Sequence, residues 1–129
     1  MSLLRSVTLC FSVLMLSLPT LPQASAQEAL FGEWGTENQC ARELITPKGT
    51  KLAEPFVISQ DWIGHGNLWC RLTWLGSDAG QGPSVTFAQG QCGEDSVRGY
   101  QMKFQLEGEE LSIIWNSFHK NGPLQRCDL

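Results

Sequence analysis

The chain has 129 residues, of which 9 are basic and 13 acidic, for a formal net charge of −4. Such a balance lacks the basic stripe that nucleic acid or an anionic membrane surface demands, so neither is expected as a partner. The length suits one domain and is short for two.

The first 26 residues read as an export signal. Arg5 supplies a positive start, Val7 to Leu18 form an apolar run, Pro19 and Pro22 stop any helix, and Ala24-Ser25-Ala26 is a small-residue cleavage site. A run of twelve residues falls short of the roughly 20 that span a bilayer. Cleavage before Gln27 is therefore expected, with a single domain over residues 27–129 that is periplasmic or secreted and does not insert into the membrane. The segment carries one basic and no acidic residue, so its removal takes the net charge to −5.

Cys10 leaves with the signal, and Cys40, Cys70, Cys92 and Cys127 remain, separated by 30, 22 and 35 positions. Zinc sites present their thiols in close pairs, and no C-x-x-C occurs; an even count in an exported domain points to two disulfides, with no metal and no cofactor expected.

Taken in order, Gln27 to Leu30 is a loose start and Phe31 to Gly35 a first short strand. Cys40 to Leu44 supports one helical turn, ended by Thr46-Pro47. Phe56-Val57-Ile58 has strand composition, with Pro55 at the one position a strand tolerates it. Asp61 begins a turn into Trp62-Ile63, and Gly64-His65-Gly66-Asn67 is a strong turn signal. Leu68 to Leu75 alternates, placing Leu68, Cys70, Leu72 and Trp74 on one face. Gly76 to Pro83 reads as a flexible loop. Ser84 to Gln91 then returns, with Val85, Phe87 and Gln89 against Thr86 and Ala88.

The clearest stretch is Tyr100 to Ser117. With Gly108-Glu109 at the tip, Leu106 meets Leu111, Phe104 meets Ile113 and Met102 meets Trp115, while the opposite face is mostly polar. Pairing Leu68–Leu75 with Val85–Gln91 brings residue 70 opposite about residue 89, and a bulge at Gly90 or Gly93 would carry Cys92 to Cys70. Cys40 is then left for Cys127, tying an early strand to the C-terminal segment from Pro123. The expected fold is all-β: about seven strands in antiparallel meander order, a small barrel or a sandwich, with the barrel preferred because it removes exposed edges.

Trp34, Trp74 and Trp115 fall on the inward faces. Trp62, His65, Trp69 and Arg71 flank the glycine-rich turn and form the candidate ligand-binding patch, able to stack on a sugar or grip a partner's loop. His65 and His119 are the only imidazoles, and a small hydrolase built on either is the alternative reading. No nucleophile elbow, H-E-x-x-H, phosphate loop, dinucleotide fingerprint or calcium loop accompanies them. The carboxylates at Glu94-Asp95 and at Glu107, Glu109 and Glu110 belong to turns, where charge keeps the chain in water. No catalytic residue is assigned, and the chain is read as a non-enzymatic module.

At Gly32-Glu33-Trp34 the chain resembles the G-x-W opening of lipocalin-like barrels, including the small periplasmic inhibitors of secreted metalloproteases. That resemblance implies an antiparallel barrel and an inhibitory role toward a protein partner; the four cysteines depart from it. The export signal, early G-x-W, four spread cysteines and ending Pro123-Leu124-Gln125-Arg126-Cys127 are also similar to small four-cysteine periplasmic proteins of Gram-negative bacteria. Together these features lead to an exported β-module binding a protein or a cell-envelope ligand, with carbohydrate binding through Trp62 and Trp69 as a second expectation.

Overall fold

The hairpin expected over Tyr100–Ser117 forms with the expected register, Leu106 against Leu111, Phe104 against Ile113 and Met102 against Trp115, and Gly108 turns the tip at φ +61°. The computed structural model describes residues 26–42, 44–46, 49–51, 53–78, 82–94 and 96–127, so the expected export signal, apart from Ala26, lies outside the described residues. The elements are a 3-10 turn (Glu28–Leu30), β1 (Gly32–Gly35), α1 (Glu37–Cys40), β2 (Leu44–Thr46), β3 (Gly49–Lys51), β4 (Phe56–Ile58), β5 (Trp62–His65), β6 (Leu68–Asp78), β7 (Ser84–Cys92), β8 (Arg98–Glu107), β9 (Glu110–Trp115) and β10 (His119–Arg126).

Eight strands close into an antiparallel barrel in the order β1-β10-β9-β8-β7-β6-β5-β4. From β4 onward each strand pairs with the next, and β1 fills the seam between β4 and β10. Closure decides for the barrel over the sandwich. The strand beyond the expected seven is β5. Gly64 and His65 do not turn; they pair with Val57 and Phe56 on one side and with Trp69 and Leu68 on the other, and the turn narrows to Gly66-Asn67. Two flanking strands offering ladder partners outweigh glycine's weak strand preference.

The connection between β1 and β4 also differs from expectation. The helical turn sits at Glu37–Cys40, three residues early, because Thr36 caps it: the Thr36 hydroxyl accepts from Gln39 N, and Gln39 Oε1 accepts from Thr36 N. Leu44 instead enters β2, which pairs with β3 as a separate two-stranded sheet.

Both expected disulfides are present, Cys40–Cys127 and Cys70–Cys92. The register that makes the second one lies further along than expected. Cys70 is directly opposite Cys92, β6 continues to Asp78 through residues read as loop, and the irregularity falls between Trp74 and Gly76, not at Gly90 or Gly93. The disulfides fit an oxidising compartment. Among the described residues no helix is long and apolar enough to cross a membrane.

β7 turns its smaller face inward. Thr86, Ala88, Gly90 and Cys92 are buried while Phe87 is exposed. Space explains the choice, since a Cβ at Gly90 would come within 2.9 Å of Met102 Sδ. The interior is filled by Trp34, Phe104, Met102, Leu111 and Ile113, with Trp74 packed against Phe104 at 5.4 Å. Trp34, Trp74 and Trp115 thus face inward as expected.

One barrel end is sealed. Residues 27–30 are not a loose start: Leu30 is 1% exposed and its carbonyl accepts from Trp34 Nε1 at 2.8 Å. Arg126 lies over the Trp34 ring, 4.3 Å from its centroid, and donates to the carbonyls of Phe31 and Ala29 at 2.7 Å each. Gly32 makes room for that guanidinium: its φ is +126°, and a Cβ there would lie 2.7 Å from Arg126 Nη1. The spacing of G-x-W follows, a glycine under the arginine and a tryptophan beneath its face.

Candidate functional site at the open barrel end

Strand directions place the Gly66-Asn67 turn, the segment after Cys92 and the Asn116–Phe118 turn at the end opposite the 3-10 turn. No buried plug of the Leu30 kind is found there among the described residues. A depression of about 490 Å³ opens between Phe56, His65, Leu68, Tyr100, Trp115, Phe118 and His119.

Each wall follows from local pairing. Phe56 and His65 are register partners on β4 and β5, and their rings stack at 4.2 Å and 12°. Gln39 meets the imidazole at its edge. Its Oε1 is already engaged by Thr36 N, which leaves the amide Nε2 to face His65 Nε2 at 3.4 Å. Tyr100 meets Trp115 edge-on at 5.8 Å, and Trp115 Nε1 donates to Asn121 Oδ1 at 2.8 Å.

The β9–β10 turn supplies the rim. Asn116 is clamped to β8 through two 2.8 Å bonds, its N–H donating to Gln101 O and its Oδ1 accepting from Gln101 N. Asn116 and Ser117 take φ of +47° and +68°, and the turn displays Phe118 with 87% of its surface in water. Leu68, which shares the inward face of β6, is 46% exposed because it sits at the mouth.

The four residues expected as one patch divide between two surfaces. His65 points into the mouth. Trp62, Trp69 and Arg71 face outward on β5 and β6, with the Arg71 guanidinium 5.4 Å from the Trp62 ring centroid. Strand alternation is the reason: once residues 62–65 are a strand, His65 and Trp62 must face opposite ways. His119 is the first residue of β10 and joins His65 at the mouth, so neither imidazole lies on a turn.

Among the described residues neither imidazole has a carboxylate within 4.0 Å; the ion pair present is Arg42–Glu33 at 2.7 Å. Among the described residues neither bonds a hydroxyl, and no three His, Cys, Asp or Glu side chains gather as a metal set. Phe118, Leu68, Tyr100 and Phe56 were not singled out in the sequence. Asn116-Ser117 after a strict alternation was the available signal for a turn presenting Phe118.

A scan against protein-family models and searches of curated proteins and of solved structures found no match. The fold and site define a class nonetheless: an eight-stranded antiparallel barrel, stapled twice, sealed at one end and open and aromatic at the other.

Proposed function

We propose that this is a non-enzymatic, exported binding module of the periplasm or extracellular space, and that the open barrel end takes an apolar side chain of a protein partner. The observation that carries the reading is the exposure of Phe118 and Leu68 beside a preformed apolar depression. Anchors of this kind, an aromatic knob beside a hollow, dominate the energetics of protein interfaces. The fixed backbone of the turn supports it too, because a loop already clamped to the sheet through Asn116 loses little backbone freedom on binding. Inhibition of an exported hydrolase is the form of binding that the G-x-W likeness would add.

The test is co-purification from a periplasmic extract with the wild-type chain and with Phe118→Asp and Leu68→Asp variants. A partner retained by wild type and lost from both variants is the expected result. Recovery of monomer alone, or a partner held equally by the variants, defeats the reading. Inhibition is checked against exported proteases in the same fractions.

A further inference from the structure

Trp62, Trp69 and Arg71 lie outside the mouth and are not used by it. Around them the outer wall of β5, β6 and β7 forms a second depression of about 630 Å³, with Gln91 and Glu94 on its far side. That volume lies within the roughly 300–1,000 Å³ of small-ligand sites.

Trp69 is a platform. A Cβ built on Gly64 would lie 2.7 to 2.8 Å from three successive atoms of the six-membered ring, Cε3, Cζ3 and Cη2. Equal distance from three atoms of one ring places that point above the ring centre, so the indole lies face-down on the Gly64 backbone. Its other face is turned to water, and the residue is 52% exposed. Gly64 is the register partner of Trp69, and any larger residue there would lift the ring away.

Planar hydrogen-bonding groups stand beside the platform. Arg71 pairs with Trp62 on one side and with Gln91 on the other, which lines up Trp62, Arg71 and Gln91 across three strands of the outer wall. Glu94 follows from the segment after β7. Arg71 lies against the Trp62 ring, and none of Arg71, Gln91 and Glu94 spends its side chain on a hydrogen bond or ion pair with another described residue. One cation and one anion balance, so the depression favours a neutral ligand. A flat apolar face ringed by amide, guanidinium and carboxylate groups matches a pyranose, which offers C–H bonds on one face and hydroxyls around its edge.

We propose that this outer wall is a carbohydrate subsite, in which a neutral pyranose stacks on the exposed face of Trp69 and its hydroxyls are held by Arg71, Gln91 and Glu94. It shares Leu68 at its edge with the mouth, but Trp69, Arg71, Gln91 and Glu94 line only the outer wall. The test is a tryptophan-fluorescence and calorimetric titration of the exported chain with chitotriose, cellotetraose, maltotetraose and soluble peptidoglycan fragments. At least one should give a saturable change; Trp69→Ala should weaken it by about tenfold or more, Trp69→Phe should restore part, and Phe118→Asp should leave it intact. Absence of saturation with every probe overturns the proposal, as does binding that survives Trp69→Ala. Loss in Phe118→Asp with retention in Trp69→Ala would move the sugar to the mouth and equally overturn it.

Discussion

Replacing Arg126 by alanine should open the sealed barrel end. The guanidinium donates two 2.7 Å bonds to the Phe31 and Ala29 carbonyls and covers Trp34 at 4.3 Å. Hydrogen bonds from a charged group contribute about 1.5–3 kcal/mol each and an exposed cation–π contact about 0.5–1 kcal/mol. Arg126 is solvent-exposed, so screening and rehydration of the freed carbonyls reduce that sum, and about 2 kcal/mol is the expected loss. For a domain of this size that lowers Tm by about 10 °C. Urea unfolding followed by tryptophan emission measures it, with hydrogen exchange at residues 28–31 showing whether the 3-10 turn is released. Arg126→Lys should recover less than half, because an ammonium cannot reach two carbonyls while lying flat on an indole. A loss under about 0.5 kcal/mol, or a lysine variant equal to wild type, would refute the view that the fork holds this end.

Gly32→Ala should destabilise by about 1–3 kcal/mol from its φ of +126° and the approach of Arg126; in the Arg126→Ala background the cost should shrink, and an unchanged cost on urea unfolding would mean that only the backbone conformation matters. Mass spectrometry of an unreduced digest should link Cys40 to Cys127 and Cys70 to Cys92, and Cys70 joined elsewhere would break the β6–β7 register. Removing the Cys40–Cys127 bond, with its separation of 87 positions, should cost about 4.6 kcal/mol on the chain-entropy account, read as a fall in the urea midpoint. Ser117→Gly should raise stability by about 0.5 kcal/mol because serine sits at φ +68°; a loss in thermal unfolding would show that the turn is not strained.

The mouth is the part of the molecule that sequence patterning was least able to reach. Trp62, His65, Trp69 and Arg71 are neighbours along the chain, and reading residues 64–67 as a turn made them one patch. The structure pairs Gly64 and His65 on both sides, and period-two alternation then sends His65 inward to Phe56 while Trp62 and Trp69 stay outside. Glycine's local preference pointed one way and the ladder partners another; the partners come from segments about ten residues or fewer away, and local preference does not register them. Phe118 was likewise passed over, since its exposure depends on how the turn is clamped to Gln101 across the sheet.

What the sequence determined by itself is whatever rests on short-range pattern: the all-β class, the Met102–Trp115 hairpin and its register, the inward tryptophans, and, from spacing and strand order, both disulfide partners. Those survive because alternation fixes side-chain faces within a strand and a two-residue turn fixes the register of a hairpin. Tertiary structure alone decided the closure of β1 between β4 and β10, the sealing of one end by Leu30 and Arg126, and the opening of the other around His65, Tyr100 and Phe118. Each of those joins residues far apart in the chain, such as Arg126 to Ala29 across 97 positions, and only the packed barrel brings them together.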